Sequence, residues 1–207
     1  MKKLSNQKKV IGTLTAGVLL AVFALALSPM LGALHDRGVA AVSFPDPFSG
    51  LALRAKSAIV YDPENNTEIF AKGAGEALPL ASLTKVMTVL TALKYSRPDE
   101  LVTISLSAQM KSGEDGLVLG EKWDLATLAK FSLIGSSNDG VTAIAEAIEE
   151  KTGKSFTDLM NEESRSLGLE STHFENATGL DVEQSRGGGV GTAKDVAKLF
   201  AYGIEAY

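Results

Sequence analysis

The sequence predicts an α/β fold in which an antiparallel strand pair is followed by a mainly helical part. The segments SAIVYD (57–62) and TEIFAK (67–72) are strand candidates joined by the turn PENN, which indicates a hairpin. Apolar residues spaced i, i+3, i+4 and i+7 then predict a helix that starts at Ser82 and runs through Leu93. Because two strands do not form a stable sheet alone, we expect either that residues beyond Tyr207 complete the sheet or that the domain is unusual.

Later segments of the chain are predicted mostly as helices. LVTISLSAQM (101–110) is expected to hold a short strand, and Asp124 is expected to cap a helix through LATLAKFSLI. After an interruption at GSSND, Asp139 is the expected cap of a helix over 140–150. The remaining predictions are, in chain order, a helix at 155–168, a loop at 173–191 and a last helix at 192–206.

The N-terminal region predicts export across a membrane. MKKLSNQKK carries four lysines and no acid, and the chain from Val10 to Leu34 is uncharged. This apolar run exceeds the usual signal-peptide core of about 7–15 residues and approaches the roughly 20 residues that span a bilayer. We expect residues 1–34 to be an uncleaved membrane anchor with its basic end inside; cleavage at a small-residue site such as GVAA (38–41) is the alternative. Residues 35–55, with two prolines and no clear periodicity, are predicted to be a linker.

Composition excludes several classes of function. The 207-residue chain has a net charge of −5, a pI near 5.1 and no basic patch, so nucleic-acid binding is not expected. Cysteine is absent, which excludes disulfides and thiolate metal sites. The two histidines, His35 and His173, form no H-x-x-H or H-E-x-x-H pair, so we predict no metal or other cofactor.

Ser82 and Lys85 form the first candidate catalytic pair. Residues at i and i+3 lie on one helical face, close enough for their side chains to meet. A serine hydroxyl becomes a strong nucleophile when a neighbouring base takes its proton, and a lysine kept from water can be that base. The free N–H groups at a helix start would also favour developing negative charge. The alternative is an N-cap serine followed by a lysine that extends its amine to the surface.

The segment SSND supplies the second candidate group. Ser136 could pass a proton between a lysine and a leaving group, and the amide of Asn138 could hold a substrate amide with one donor and one acceptor. The alternative is a helix–helix connection rich in capping residues. A third segment, KTG at 151–153, directly follows AIAEAIEE and is interpreted as ordinary helix termination.

Taken together, these segments resemble a known family. PLASLTKVMT followed by LIGSSNDGVTAIAE is similar to the penicillin-recognising serine hydrolases, and specifically to the D-alanyl-D-alanine carboxypeptidases among the low-molecular-mass penicillin-binding proteins. The resemblance extends from about Ser57 to Leu199. It includes the hairpin before the S-x-x-K segment, FTDLMNEESRSLGLESTHFENATGLD and GTAKDVAKLF.

The resemblance implies a β-lactamase/transpeptidase-like fold, with a helical subdomain and an antiparallel sheet whose C-terminal part is missing here. It implies that Ser82 is the acylated nucleophile, Lys85 its general base, Ser136 a proton-transfer group and Asn138 a substrate-binding residue. The implied substrate is a peptidoglycan stem peptide ending in D-Ala-D-Ala, from which the last D-alanine leaves. β-Lactams would acylate Ser82 as substrate mimics, and one oxyanion N–H would come from Ser82 itself.

One departure from the family concerns its third motif, a K-T-G on a strand well downstream of the second. Lys151 lies only 13 residues after Asn138, so we do not transfer that role to it and expect the third motif beyond Tyr207. Residues 56–207 are then the N-terminal part of a catalytic domain that lies outside the cytoplasm, attached to the cell membrane or, after cleavage, secreted. Two alternatives remain: a catalytically silent relative that binds muropeptides or β-lactams, and a β-lactamase.

Overall fold

The structure, a computed structural model, describes residues 47–111 and 116–206. Chain contacts separate a unit ending at Leu51 from a unit beginning at Ala52. In the first unit, the described residues form a turn in which the Leu51 N–H donates to Phe48 O at 2.9 Å. The predicted anchor and most of the predicted linker lie outside the described residues, and both stay predictions. Within the described ranges, no helix combines the length and the apolar character that crossing a membrane requires.

Seven short strands lie in the described part of the second unit. They are β1 (Ala58–Asp62), β2 (Thr67–Lys72), β3 (Leu78–Pro79), β4 (Leu101–Thr103), β5 (Lys122–Asp124), β6 (His173–Phe174) and β7 (Gly189–Gly191). They form three small antiparallel sheets, ordered β1-β2, β3-β7-β6 and β4-β5. The hairpin predicted from SAIVYD and TEIFAK is confirmed as β1 and β2, with a bulge between Val60 and Tyr61.

Six α-helices and one 3₁₀ turn lie in the same part of the chain. The helical prediction for the chain after the hairpin is confirmed. The helices are α1 (Thr84–Tyr95), α2 (Leu106–Gln109), α3 (Leu125–Gly135), α4 (Asn138–Thr152), α5 (Phe156–Ser166) and α6 (Ala193–Ala206), and the 3₁₀ turn is Ala81–Leu83.

Side-chain caps explain where two of these helices begin. Asp124 accepts a hydrogen bond from the Thr127 N–H at 2.9 Å, which confirms the predicted cap of α3. The predicted cap of α4 is wrong: Ser137, and not Asp139, accepts from the Gly140 N–H at 2.9 Å. The reason is that Ser137 is the last extended residue before α4, whereas Asp139 already lies in its first turn.

The segment at 173–191, predicted as a loop, contains β6 and β7 at its two ends. These strands are two and three residues long, too short for a period-2 pattern to be visible. They pair with each other, and β7 also pairs with β3 immediately before the 3₁₀ turn. The loop is therefore brought back against the start of α1.

α1 lies at the centre of the helical part, in contact with α3, α4, α5 and α6. Each fully buried Leu, Ile or Met side chain contributes about 1.5–3 kcal/mol to stability. This packing fixes the helix whose front carries Ser82 and Lys85. The fully buried core side chains nearby include Met87, Leu128, Ile144 and Met160.

Candidate active site

Ser82 lies in the 3₁₀ turn that links β3 to α1. α1 itself begins at Thr84, two residues later than the helix predicted from the sequence. No side chain caps the start of the 3₁₀ turn or of α1, so the interpretation of Ser82 as an N-cap serine is wrong. The Ser82 side chain is exposed, and its hydroxyl is directed to other side chains.

Lys85 is buried almost completely, with 2% of its surface exposed. Its Nζ lies 2.9 Å from Ser82 Oγ and donates to Thr178 O at 3.0 Å. The alternative in which this lysine extends its amine to the surface is therefore wrong. Burial disfavours the charged form of an amine, which is the condition for a lysine to act as a base.

Ser136 completes a group of three side chains. Its Oγ donates to Ser82 Oγ at 2.9 Å, although the two residues are 54 positions apart. Asn138 is the first residue of α4 and is half-buried. Its backbone oxygen accepts from Thr142 Oγ1 at 2.8 Å. The sequence-predicted residues Ser82, Lys85 and Ser136 are thus brought into hydrogen-bonding contact, and Asn138 lies two residues after Ser136.

Two residues at this site have left-handed backbone conformations that side chains other than glycine rarely adopt. Ala81, directly before the serine, has φ of 47°, and Ser136 has φ of 57°. Such conformations cost about 1–3 kcal/mol each and persist only when their surroundings hold them. Asn66 in the hairpin turn is the one other non-glycine residue with positive φ in the described ranges. Backbone strain is therefore concentrated around the Ser82 and Ser136 hydroxyls.

A close approach of two helices holds Ser136 in place. The N–H groups of Ser136 and Ser137 both donate to Ser132 O in the last turn of α3. A Cβ on Gly140 would lie 2.1 Å from Ser132 Oγ, so glycine at 140 lets α4 begin this close to α3 while the Ser132 hydroxyl keeps its position. The tight connection between α3 and α4 presents the Ser136 hydroxyl to Ser82.

A backbone group that the sequence did not reveal also belongs to the site, the carbonyl of Thr178. The next residue, Gly179, has φ of 81°, and a Cβ there would lie 1.8 Å from Ala81 O. The segment NATGLD therefore contacts both Lys85 and the residue that precedes Ser82. The Asn, Thr and Gly residues of this segment indicate a turn. They do not indicate that its backbone carbonyl contacts Lys85, because any residue type can supply a carbonyl.

The KTG segment lies at a helix end, as predicted. α4 ends at Thr152, and Gly153 follows in the left-handed conformation with its N–H donating to Glu149 O at 2.8 Å. Lys151 Nζ bonds both carboxylate oxygens of Glu100, at 2.6 and 2.7 Å. Side-chain hydrogen bonds from Lys151 and then Ser96 lower the pKa of Glu100 to about 2. Lys151 therefore forms an ion pair with Glu100.

A metal centre has no support in the part of the chain that the structure describes. No group of three or more His, Asp and Glu side chains is arranged there to hold an ion. What the site offers is a serine hydroxyl between a buried amine and a second hydroxyl, an arrangement suited to nucleophilic attack with proton transfer.

Comparison with known sequences identifies the family. Residues 41–207 match the family described as D-alanyl-D-alanine carboxypeptidase. The chain belongs to this family. The family resemblance seen in the sequence is confirmed.

Among curated carboxypeptidases, the chain is similar to DacF of Bacillus subtilis (strain 168), a D-alanyl-D-alanine carboxypeptidase. The two are 31% identical over 182 residues, which cover 85% of this chain and 43% of DacF. The chain spans about half the length of the curated relatives it matches.

Solved structures of carboxypeptidases and penicillin-binding proteins share its fold. The Mycobacterium tuberculosis D-alanyl-D-alanine carboxypeptidase superposes with a TM-score of 0.67 at 26% identity, covering 80% of this chain and 60% of the other. Penicillin-binding protein D2 of Listeria monocytogenes, solved with cefotaxime bound, has a TM-score of 0.63 at 28% identity, with coverage of 76% and 64%. The predicted transpeptidase-like α/β fold is confirmed for the part of those structures that the chain covers.

Proposed function

We propose that this protein is a serine-type D-Ala-D-Ala carboxypeptidase that acts on peptidoglycan stem peptides through an acyl-enzyme on Ser82. The observation that carries the proposal is the position of Ser82 Oγ, 2.9 Å from both Lys85 Nζ and Ser136 Oγ. Membership of the D-alanyl-D-alanine carboxypeptidase family supports the substrate class.

In the proposed acylation step, Ser82 Oγ attacks the carbonyl carbon of the bond between the two D-alanines. Lys85, the proposed base, takes the hydroxyl proton along the 2.9 Å line that joins Nζ to Oγ. The carbonyl oxygen becomes an oxyanion, to which the backbone N–H of Ser82 is the proposed donor.

Collapse of this tetrahedral intermediate breaks the C–N bond and leaves an ester on Ser82. The departing amine needs a proton, and Ser136 is proposed to pass it the proton that Lys85 took from Ser82, because Ser136 Oγ already lies 2.9 Å from Ser82 Oγ. Water then attacks the ester, releasing the shortened peptide as a carboxylic acid and restoring the Ser82 hydroxyl. Asn138 is proposed to hold the substrate's own amide through hydrogen bonds.

β-Lactams are the proposed covalent inhibitors, since opening of their ring by Ser82 gives an ester of the same kind. The cefotaxime and ampicillin complexes of the structurally similar Listeria protein support this proposal.

The proposed location is the outer face of the cell membrane, with residues 1–34 as the anchor. It is supported by the four lysines and the uncharged run at the N-terminus.

The test uses the full-length gene product with a D-Ala-D-Ala peptide and with fluorescent penicillin. Release of D-alanine by the wild type, and none by Ser82→Ala, is the expected result. Penicillin labelling without D-alanine release would instead indicate a catalytically silent binder. Repeated turnover of penicillin would indicate a β-lactamase. A wild type that neither takes up label nor releases D-alanine would contradict every role assigned to Ser82.

A further inference from the structure

The carbonyl that Lys85 contacts belongs to a turn organised by the side chain of Asn176. Oδ1 of Asn176 accepts hydrogen bonds from Thr178 N–H at 3.1 Å, Thr178 Oγ1 at 2.9 Å and Gly179 N–H at 2.8 Å. Two backbone donors meet this atom, so it must be the oxygen of the amide. Nδ2 donates to Leu180 O at 2.8 Å. One side chain thus fixes the backbone on both sides of the Thr178 carbonyl.

Neighbouring segments enclose the Asn176 side chain. The Asn176 N–H donates to Gly188 O at 3.1 Å, and a Cβ on Gly188 would lie only 2.4 Å from Asn176 Nδ2. On the other side, Thr88, one turn after Lys85 on α1, donates to Ala177 O at 2.7 Å. The glycine-rich segment before β7 therefore makes room for this amide, and α1 holds the residue that follows it.

We propose that Asn176 is a positioning residue for Lys85, acting through the backbone carbonyl of Thr178. The proposal rests on the proposed function, in which Lys85 takes the proton of Ser82. Lys85 Nζ lies between Ser82 Oγ and Thr178 O, at 2.9 and 3.0 Å. A shift of the carbonyl would leave a buried amine without the acceptor that directs it at Ser82. Misplacing a reacting group by about 1 Å costs about 10²-fold in rate.

A purely structural asparagine would behave differently from a positioning one. Loss of a structural side chain lowers stability but leaves the chemical step unchanged in the molecules that remain folded. Loss of a positioning side chain slows the chemical step itself, while substrate binding through Asn138 is preserved. The maximal acylation rate and the penicillin concentration for half-maximal rate separate these two cases.

The experiment measures acylation of the full-length gene product by fluorescent penicillin over a range of penicillin concentrations. For Asn176→Ala we expect the maximal rate constant to fall about 10²-fold, with the half-saturating concentration unchanged. Asn176→Asp keeps the oxygen that accepts from Thr178 and Gly179 and loses the donor to Leu180. It should restore the rate to within about tenfold of the wild type.

The matched control is Asn161→Ala, another asparagine that braces the same segment without touching Thr178. Asn161 accepts from the Phe174 N–H at 2.9 Å and donates to Phe174 O at 2.8 Å. This variant should lose stability in a thermal melt and keep the wild-type acylation rate.

Two results overturn the proposal while leaving the proposed function intact: acylation of Asn176→Ala at the wild-type rate, or equal slowing by Asn161→Ala. A wild-type protein that takes up no penicillin would overturn the proposed function, and this proposal with it.

Discussion

The carbonyl oxygen of Thr178 accepts a hydrogen bond from Lys85 Nζ at 3.0 Å, across 93 residues of sequence. This contact joins the loop before β7 to the helix that follows the candidate nucleophile. It places the amine at a fixed point between an acceptor on the loop and the hydroxyl of Ser82. The proposed chemistry depends on that placement.

Removal of the amine should slow acylation strongly without unfolding the protein. Lys85→Met keeps most of the volume of this buried side chain and removes the group proposed to take the Ser82 proton. We expect the rate of acylation by fluorescent penicillin to fall about 10²-fold to 10⁴-fold.

The control for this variant is Lys94→Met, on the same helix. Lys94 forms an ion pair with the buried carboxylate of Glu163, so its loss should lower stability and leave acylation unchanged. Acylation of Lys85→Met at the wild-type rate would contradict the assignment of Lys85 as the base.

Gly179 should tolerate no side chain. A Cβ at this position would lie 1.8 Å from Ala81 O, on a backbone with φ of 81°. We expect Gly179→Ala to destabilise the protein by about 3 kcal/mol or more in urea unfolding, and to reduce acylation because Ala81 precedes Ser82.

The comparison variant is Gly153→Ala, which has a similar φ of 67° but no atom within 4 Å of the added Cβ. It should cost only about 1 kcal/mol and leave acylation unchanged. Equal losses of stability in the two variants would show that the cost of a side chain at Gly179 comes from its backbone conformation and not from contact with Ala81.

Part of this site was predictable from the sequence, because some of its signals are local. The spacing of Ser82 and Lys85 places the two side chains on one face, and the structure has them 2.9 Å apart. The approach of Ser136 to Ser82 spans 54 residues, and the sequence indicated it only through family resemblance. The contribution of Thr178 could not be predicted, since any residue type supplies a carbonyl.

Errors in the predicted fold arise where the structure depends on features that local residue propensities do not indicate. Asp139 and Ser137 are both good capping residues, and the choice between them depends on the left-handed turn at Ser136, which no local propensity indicates. The strands β6 and β7 are set by pairing with each other and with β3, so they too depend on contacts distant in sequence.

The close approach of α3 and α4 predicts a compensating pair of substitutions. Gly140→Ala would place its Cβ 2.1 Å from Ser132 Oγ, a buried hydroxyl that makes no hydrogen bond with the described residues. We expect Gly140→Ala to destabilise the protein by about 1–3 kcal/mol and Ser132→Ala to be nearly neutral. The double variant should recover most of the loss. Additive losses, measured by urea unfolding, would contradict this account of the contact.

Glu100 should make stability depend on pH in the acid range. Its pKa is lowered from 4.5 to about 2, chiefly by Lys151. A carboxyl group whose pKa is lower in the folded state stabilises that state at pH values above its pKa in the unfolded chain. This stabilisation is lost as the pH falls through the pKa of the folded state. The stability difference between wild type and Glu100→Gln should therefore be constant near neutral pH and shrink between about pH 4.5 and about pH 2.

Lys151→Met should reproduce this pH profile, because it removes the main cause of the shift in the Glu100 pKa. A difference that stays constant down to pH 2 would contradict the assignment. Thermal melts of the three proteins across that range provide the measurement.

The central claim is that Ser82 forms the covalent bond, and peptide mapping of the penicillin adduct tests it most directly. The full-length gene product is treated with penicillin, digested and analysed by mass spectrometry, with Ser82→Ala as the parallel sample. We predict one penicillin per wild-type molecule, attached to the peptide that contains Ser82, and none on the variant. An adduct on another residue of the wild type, or an acylated Ser82→Ala protein, would contradict the account.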